Sequence, residues 1–121
     1  MFEIMVDRDS VCMGDDIDSH EKTIKITRSM KLSDFIEMII NLRYLPYISG
    51  SKATWVVRHK NKPLAVIGLK EYETYISDYE TKFITGNIDL AELLKDDSEK
   101  KIGFGYYAQE DYLLIYKKMK A

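Results

Sequence analysis

The chain has 121 residues, of which 45% are hydrophobic and 31% are charged. This composition is typical of one folded domain with a single core, and it argues against disorder. The formal net charge of -2 gives no general attraction to nucleic acids or anionic membranes, so we expect neither as a partner. No apolar run approaches the length of a membrane span.

The N-terminus and the cysteine content favour a cytoplasmic protein. Met1 to Ile4 contain no basic region and no apolar region, so we expect no signal peptide. The single cysteine, Cys12, excludes an internal disulfide and suits a reducing compartment. Lysine outnumbers arginine heavily, which favours a bacterial source with an AT-rich genome.

Two strands and a long connection are predicted before the first helix. Residues 2–7 alternate apolar and polar side chains, and residues 23–27 do the same, with Ile24 and Ile26 on one face. We expect an antiparallel pair joined by an acidic loop over residues 10–21.

The stretch from Lys31 to Pro46 predicts the main helix. Its apolar side chains recur at helical spacing and cover more than half of the circumference, which is typical of a helix set deep against a sheet. They are Leu32, Phe35, Ile36, Met38, Ile39, Ile40, Leu42 and Leu45. Ser33 is the predicted N-cap, and Asp34 places negative charge at the helix N-terminus.

A hairpin follows this helix. Residues 53–58 and residues 64–67 are predicted strands around a turn at residues 59–62. We expect Trp55 to be buried and His59 to be exposed at the turn. The second strand is apolar on both faces, which favours a central place in the sheet, and Gly68 is its predicted end.

The tyrosines after this hairpin recur at helical spacing. Tyr72, Tyr75 and Tyr79 therefore predict a helix over the first two turns from Glu71, and residues 81–85 are a candidate short strand after it. Tyrosine has an apolar body and a polar tip, so such a stripe suits a core rim or an interface.

The last third of the chain predicts a short helix and a closing hairpin. The helix opens at Asp89, which has capping-box spacing with Glu92. Residues 102–107 and 112–116 are the predicted strands of the hairpin. Gly103 and Gly105 fall on one face of the first strand, and the bare backbone there allows a helix or a partner to come close.

The order strand, strand, helix, strand, strand is similar to the ubiquitin-like β-grasp. The predicted fold is therefore α+β, with a mixed or antiparallel sheet packed on one main helix and an extra short helix and C-terminal hairpin. It forms a single domain over residues 1–121. The resemblance implies a fold that serves mostly as a binding surface, although fold alone does not assign function.

The acidic loop is the first candidate for a functional site. It is far longer than the two to five residues that a hairpin needs, and long loops often carry function. Its carboxylates, with Cys12 and His20, match neither an EF-hand nor a zinc motif, so we predict no metal and no cofactor. Acidic neighbours disfavour a reactive thiolate at Cys12, so no catalytic residue is predicted.

The leading hypothesis is a non-enzymatic protein-interaction domain, such as a small neutralising, immunity-type or regulatory protein. It would present an acidic, tyrosine-bearing surface to a protein partner. The residues of that surface are Asp15, Asp16, Asp18, Tyr72, Tyr75 and Tyr79. The alternative is a small-ligand or metal-binding domain that uses the loop from Cys12 to His20.

Overall fold

A computed structural model describes residues 2–9, 20–45, 54–71, 77–107 and 112–120. These residues form six strands and three helices, so the predicted α+β class is confirmed. In chain order they are β1 Phe2–Arg8, β2 Lys22–Ile26, α1 Leu32–Asn41, β3 Thr54–His59, β4 Lys62–Glu71, β5 Ser77–Phe83, α2 Leu90–Leu94, β6 Lys101–Tyr107 and α3 Tyr112–Lys120.

The six strands form one mixed sheet in the order β2-β1-β6-β3-β4-β5. The predicted antiparallel pairing of β1 with β2 is confirmed, with Phe2 opposite Ile26. β1 and β6 are parallel, whereas the other neighbouring strands are antiparallel. The first and last strands therefore meet inside the sheet.

The main core lies between α1 and one face of the sheet, which we call the inner face. Leu32, Phe35 and Ile39 of α1 are buried there, and the Phe35 ring stacks on Phe104 of β6. Trp55 is fully buried in the same core, as predicted. Alternation along β6 places Ile102, Phe104 and Tyr106 in this core, so Gly103 and Gly105 lie on the opposite, outer face.

The N-terminus of α1 is capped from outside the helix, so the prediction of Ser33 as N-cap is wrong. Lys31 is the N-cap residue, and its backbone N–H donates to the Asp34 carboxylate at 3.0 Å. The Asn87 amide oxygen accepts the Ser33 backbone N–H at 2.8 Å, and its nitrogen donates to Ser33 Oγ at 2.9 Å. A side chain 54 residues away therefore accepts a hydrogen bond from a backbone N–H in the first turn of α1, which has no partner within the helix.

β4 and β5 form a longer hairpin than the sequence predicts. β4 continues past Gly68 because β5 pairs with it as far as Glu71. The predicted helix is therefore wrong for Glu71, Ser77 and Asp78, and residues 72–76 lie outside the described part of the chain.

The predicted turn after β3 is confirmed, and the predicted short helix after Asp89 is confirmed with one correction. Lys60 and Asn61 both have positive φ, at 50° and 66°, which gives the type I′ turn of a two-residue hairpin. Asp89 is the N-cap residue of α2 but makes no side-chain capping bond. Glu92 binds Lys95 at 2.7 Å instead, so the predicted capping box is absent from these described residues.

The second strand of the predicted closing hairpin is a helix, so the strand over residues 112–116 is wrong. α3 lies on the outer face, where Ile115 is buried against Val56 of β3 and Val66 of β4. Met119, one helical turn later, packs against the same cluster. α3 therefore covers the outer face at β3 and β4. None of the described helices is long and apolar enough to cross a membrane.

Candidate functional site

An open groove of about 810 Å³ lies on the outer face of the sheet, on the side of α3 that faces β6 and β1. Asp7 and Asp9 at the end of β1 form one wall. Arg58 of β3 and Lys60 of the following turn form the opposite wall, and the loop of residues 96–99 closes a third side. We call this feature the outer groove.

The floor of the outer groove is bare backbone. Gly103 pairs with Asp7 on one side and with Arg58 on the other, so opposite charges flank it on neighbouring strands. A Cβ atom at Gly103 would meet nothing within 4 Å. At Gly105 a Cβ atom would lie 3.5 Å from Arg58 Nε and 3.7 Å from Asp9 Oδ2. The predicted bare face of β6 is therefore present and forms this floor.

The acidic wall is held by backbone hydrogen bonds. The Tyr106 backbone N–H of β6 donates to Asp9 Oδ2 at 2.9 Å. The pairing of β1 with β6 ends at Arg8 and Phe104, so this carboxylate takes the place of a backbone carbonyl of β1. Asp7 accepts the Arg8 N–H at 2.9 Å, and Lys101 Nζ lies 3.9 Å from its other oxygen. These contacts fix both carboxylates beside the groove.

The basic wall carries a half-buried guanidinium. Arg58 Nη2 donates to the Tyr107 hydroxyl at 2.6 Å and lies 4.0 Å from Met119 Sδ of α3. Among the described residues, no carboxylate forms an ion pair with Arg58. Lys60 is exposed at the same end of the groove. This wall is therefore positive, and direct ion pairing within the described chain does not neutralise Arg58.

The third wall is attached to the sheet by a shielded hydrogen bond between His59 and Asp97. His59 Nε2 and Asp97 Oδ2 are 2.8 Å apart, and their side chains are only 11% and 7% exposed, so the expectation of an exposed His59 is wrong. Asp97 also accepts the Glu99 N–H at 3.0 Å. The hydrogen bond with His59 lowers the pKa of Asp97 to about 2, and burial opposes this effect only in part.

Of the residues predicted to form the acidic, tyrosine-bearing surface, the structure describes only Tyr79. Asp15, Asp16, Asp18, Tyr72 and Tyr75 lie outside the described residues, as does Cys12. Tyr79 is half-buried on β5 and packs against the main core. His20 is described, and its backbone carbonyl accepts the Tyr44 hydroxyl.

The Tyr44 hydroxyl that makes this hydrogen bond is partly buried, and burial raises the pKa of Tyr44 to about 12. Within the described part of the chain, no group of three or more His, Cys, Asp or Glu residues is arranged to hold a metal ion.

The amino-acid sequence alone indicates the floor of the groove but not its walls. The glycine pair on β6 was the local signal for the floor. Arg58 and Asp9 gave no such signal, because they reach the floor from strands far apart in the chain. Asp97 lies within the charged run of residues 95–101, which has the composition of a solvated loop.

No protein-family model matches the chain, and the searches of curated proteins and of solved structures also found no match. The geometry and charges of the outer groove are therefore the basis for a functional proposal.

Proposed function

We propose that the chain is a non-enzymatic protein-interaction domain that binds its partner in the outer groove. The observation that carries this proposal is the open floor at Gly103, where a Cβ atom would have no neighbouring heavy atom within 4 Å. An extended segment of a partner can approach bare backbone more closely than it can approach a row of side chains.

The character of the groove favours a protein partner over a small molecule. Its volume of about 810 Å³ would suit a small ligand, but small-ligand pockets enclose most of the ligand and are mainly apolar. The outer groove is open, and charged side chains of both signs stand on its walls. Charges of both signs suit electrostatic steering and discrimination between protein partners.

We also propose that the domain is a variant of the ubiquitin-like β-grasp. Support comes from the order β2-β1-β6-β3-β4, from the parallel pairing of β1 with β6, and from the packing of α1 on one face. β5 is then an additional edge strand, and α3 is an addition on the outer face.

The acidic loop remains part of the proposed binding surface. It begins at residue 10, directly after Asp9, and Asp9 stands on the groove wall. In this proposal Asp15, Asp16 and Asp18 steer a basic region of the partner, whereas the outer groove holds a second, extended region. Such a protein fits a small bacterial neutralising or regulatory role.

Site-specific photo-cross-linking tests the location of the surface. Ser98 and Ser29 are both exposed, but only Ser98 lines the groove. A benzophenone amino acid at Ser98 is expected to cross-link to a partner in source cells, whereas the same group at Ser29 is the matched control. Cross-linking of one partner with equal yield from both positions, or from Ser29 alone, would count against the proposal.

A further inference from the structure

We propose that the outer groove recognises a carboxylate group on an extended peptide segment and that Arg58 is the residue that binds this carboxylate. This inference rests on the proposed function of the groove and adds the chemical class of its ligand.

The guanidinium of Arg58 has N–H groups available to a ligand. A guanidinium has five N–H donors. The hydrogen bonds of Arg58 to Tyr107 and Met119 both come from Nη2. Within the described residues, Nε and Nη1 donate to no acceptor, and Nε lies 3.5 Å from the Cβ position of Gly105. These donors are therefore beside the bare floor, where a ligand would lie.

The electrostatic setting of Arg58 favours an anionic group. The side chain is half-buried and has lost part of its hydration, but no carboxylate of the described chain compensates this loss through an ion pair. A ligand carboxylate would form charge-assisted hydrogen bonds with Nε and Nη1, which are stronger than bonds between neutral groups. Lys60 at the same end of the groove adds positive charge.

The opposite wall excludes a polyanion and selects a peptide. Asp7 and Asp9 face the floor from β1, and Asp96, Asp97 and Glu99 line the third wall. These carboxylates would repel a nucleic-acid backbone, and the exposed ones, Asp9, Asp96 and Glu99, can accept hydrogen bonds from peptide N–H groups. Arg58 and Asp9 approach Gly105 from two sides, which places a donor and an acceptor within reach of one ligand residue.

An NMR titration of the full chain with blocked tripeptides tests this assignment. The probes are acetyl-Gly-Asp-Gly-amide, its asparagine counterpart and acetyl-Gly-Gly-Gly with a free terminal carboxylate. We expect the aspartate peptide to shift the amide resonances of Gly103 and Gly105 and the Nε–H resonance of Arg58. The asparagine peptide should leave them in place at equal concentration. The third probe separates a side-chain carboxylate from a chain terminus as the source.

Two variants assign the effect to Arg58. Arg58→Gln should lower the affinity for the aspartate peptide by about tenfold or more, because charge-assisted hydrogen bonds are lost. Arg28→Gln removes the same charge from an exposed position outside the groove and should bind like the wild type. If Arg58→Gln does not fold, Gly103→Val provides the second test, since it fills the floor while Arg58 keeps its own charge and hydrogen-bond donors, and it should abolish the shifts.

The outcomes separate this inference from the proposed function. Equal shifts with the aspartate and asparagine peptides, unchanged affinity in a folded Arg58→Gln protein, or no shift with any probe would each overturn carboxylate recognition. The groove would still be the partner surface if photo-cross-linking from Ser98 succeeded. Cross-linking only from Ser29 would overturn the proposed function instead.

Discussion

A single residue at the end of α1 has an unfavourable backbone conformation. Arg43 has a φ of 56°, and its N–H donates to the Ile40 carbonyl while the Tyr44 N–H donates to the Ile39 carbonyl. This is the pattern of a Schellman motif, in which glycine usually occupies the left-handed position. Arg43→Gly should therefore raise the free energy of unfolding by about 1 kcal/mol, because an L side chain is strained there.

Urea denaturation measures this effect as a higher midpoint with an unchanged slope. Arg28→Gly is the control, because Arg28 has no positive φ and glycine there only makes the unfolded chain more flexible. An Arg43→Gly midpoint at or below that of the wild type would contradict the strain at Arg43.

The hydrogen bond between His59 and Asp97 predicts a pH dependence of stability. Its folded-state pKa of about 2 lies below the ordinary value of 3.8, so the unfolded chain binds more protons between these values. The contribution of Asp97 to stability is therefore fully present above about pH 5 and is lost as the pH falls towards 2. Asp97→Asn should destabilise the protein clearly at about pH 6 and much less at about pH 2.

Denaturation of both proteins across this pH range checks the prediction. His59→Leu should show the same trend, since leucine cannot make the hydrogen bond that lowers the pKa of Asp97. A stability difference between wild type and Asp97→Asn that stays constant with pH would contradict the lowered pKa assigned to Asp97.

Among the elements, α3 depends on one anchor. Ile115 is buried against Val56 and Val66, whereas the neighbouring Leu114 is 65% exposed. Ile115→Ala should cost about 2 to 4 kcal/mol and detach α3 from the sheet, because it removes the centre of the outer cluster. Leu114→Ala on the same helix should cost no more than about 0.5 kcal/mol.

Hydrogen exchange of the α3 amides, together with urea denaturation, distinguishes these outcomes. Faster exchange across α3 in Ile115→Ala, with little change in Leu114→Ala, is the expected result. Equal effects of the two substitutions would mean that α3 is not anchored at Ile115.

The elements that the sequence failed to predict are those decided by tertiary packing. The aromatic and β-branched composition of residues 112–116 favours a strand, but Ile115 and Met119 reach the sheet only if the segment is helical. On β5, Tyr79 and Phe83 fit both helical spacing and the period of two, and pairing with β4 selects the strand. β1, β2 and α1 were predictable because their apolar patterns fit only one type of element.

At the scale of the whole molecule, the outer groove exists because the first and last of the described strands pair with each other. Asp7 comes from the first strand, Gly103 from the last, and Arg58 from the middle, and one row of the sheet aligns them. No local pattern encodes such an alignment, so the sequence indicated the bare floor but not the charges beside it. The groove therefore depends on the parallel pairing of β1 with β6.

The most direct test of the groove is the affinity of the cross-linked partner for Gly103→Val, measured by calorimetry. Valine suits a strand and meets nothing near its Cβ position, so the variant should fold with stability equal to or above the wild type. We predict that it loses at least about tenfold in affinity, equal to about 1.4 kcal/mol, while the exposed control Ser29→Val binds like the wild type. Wild-type affinity in a folded Gly103→Val protein would contradict the assignment of the outer groove as the binding surface.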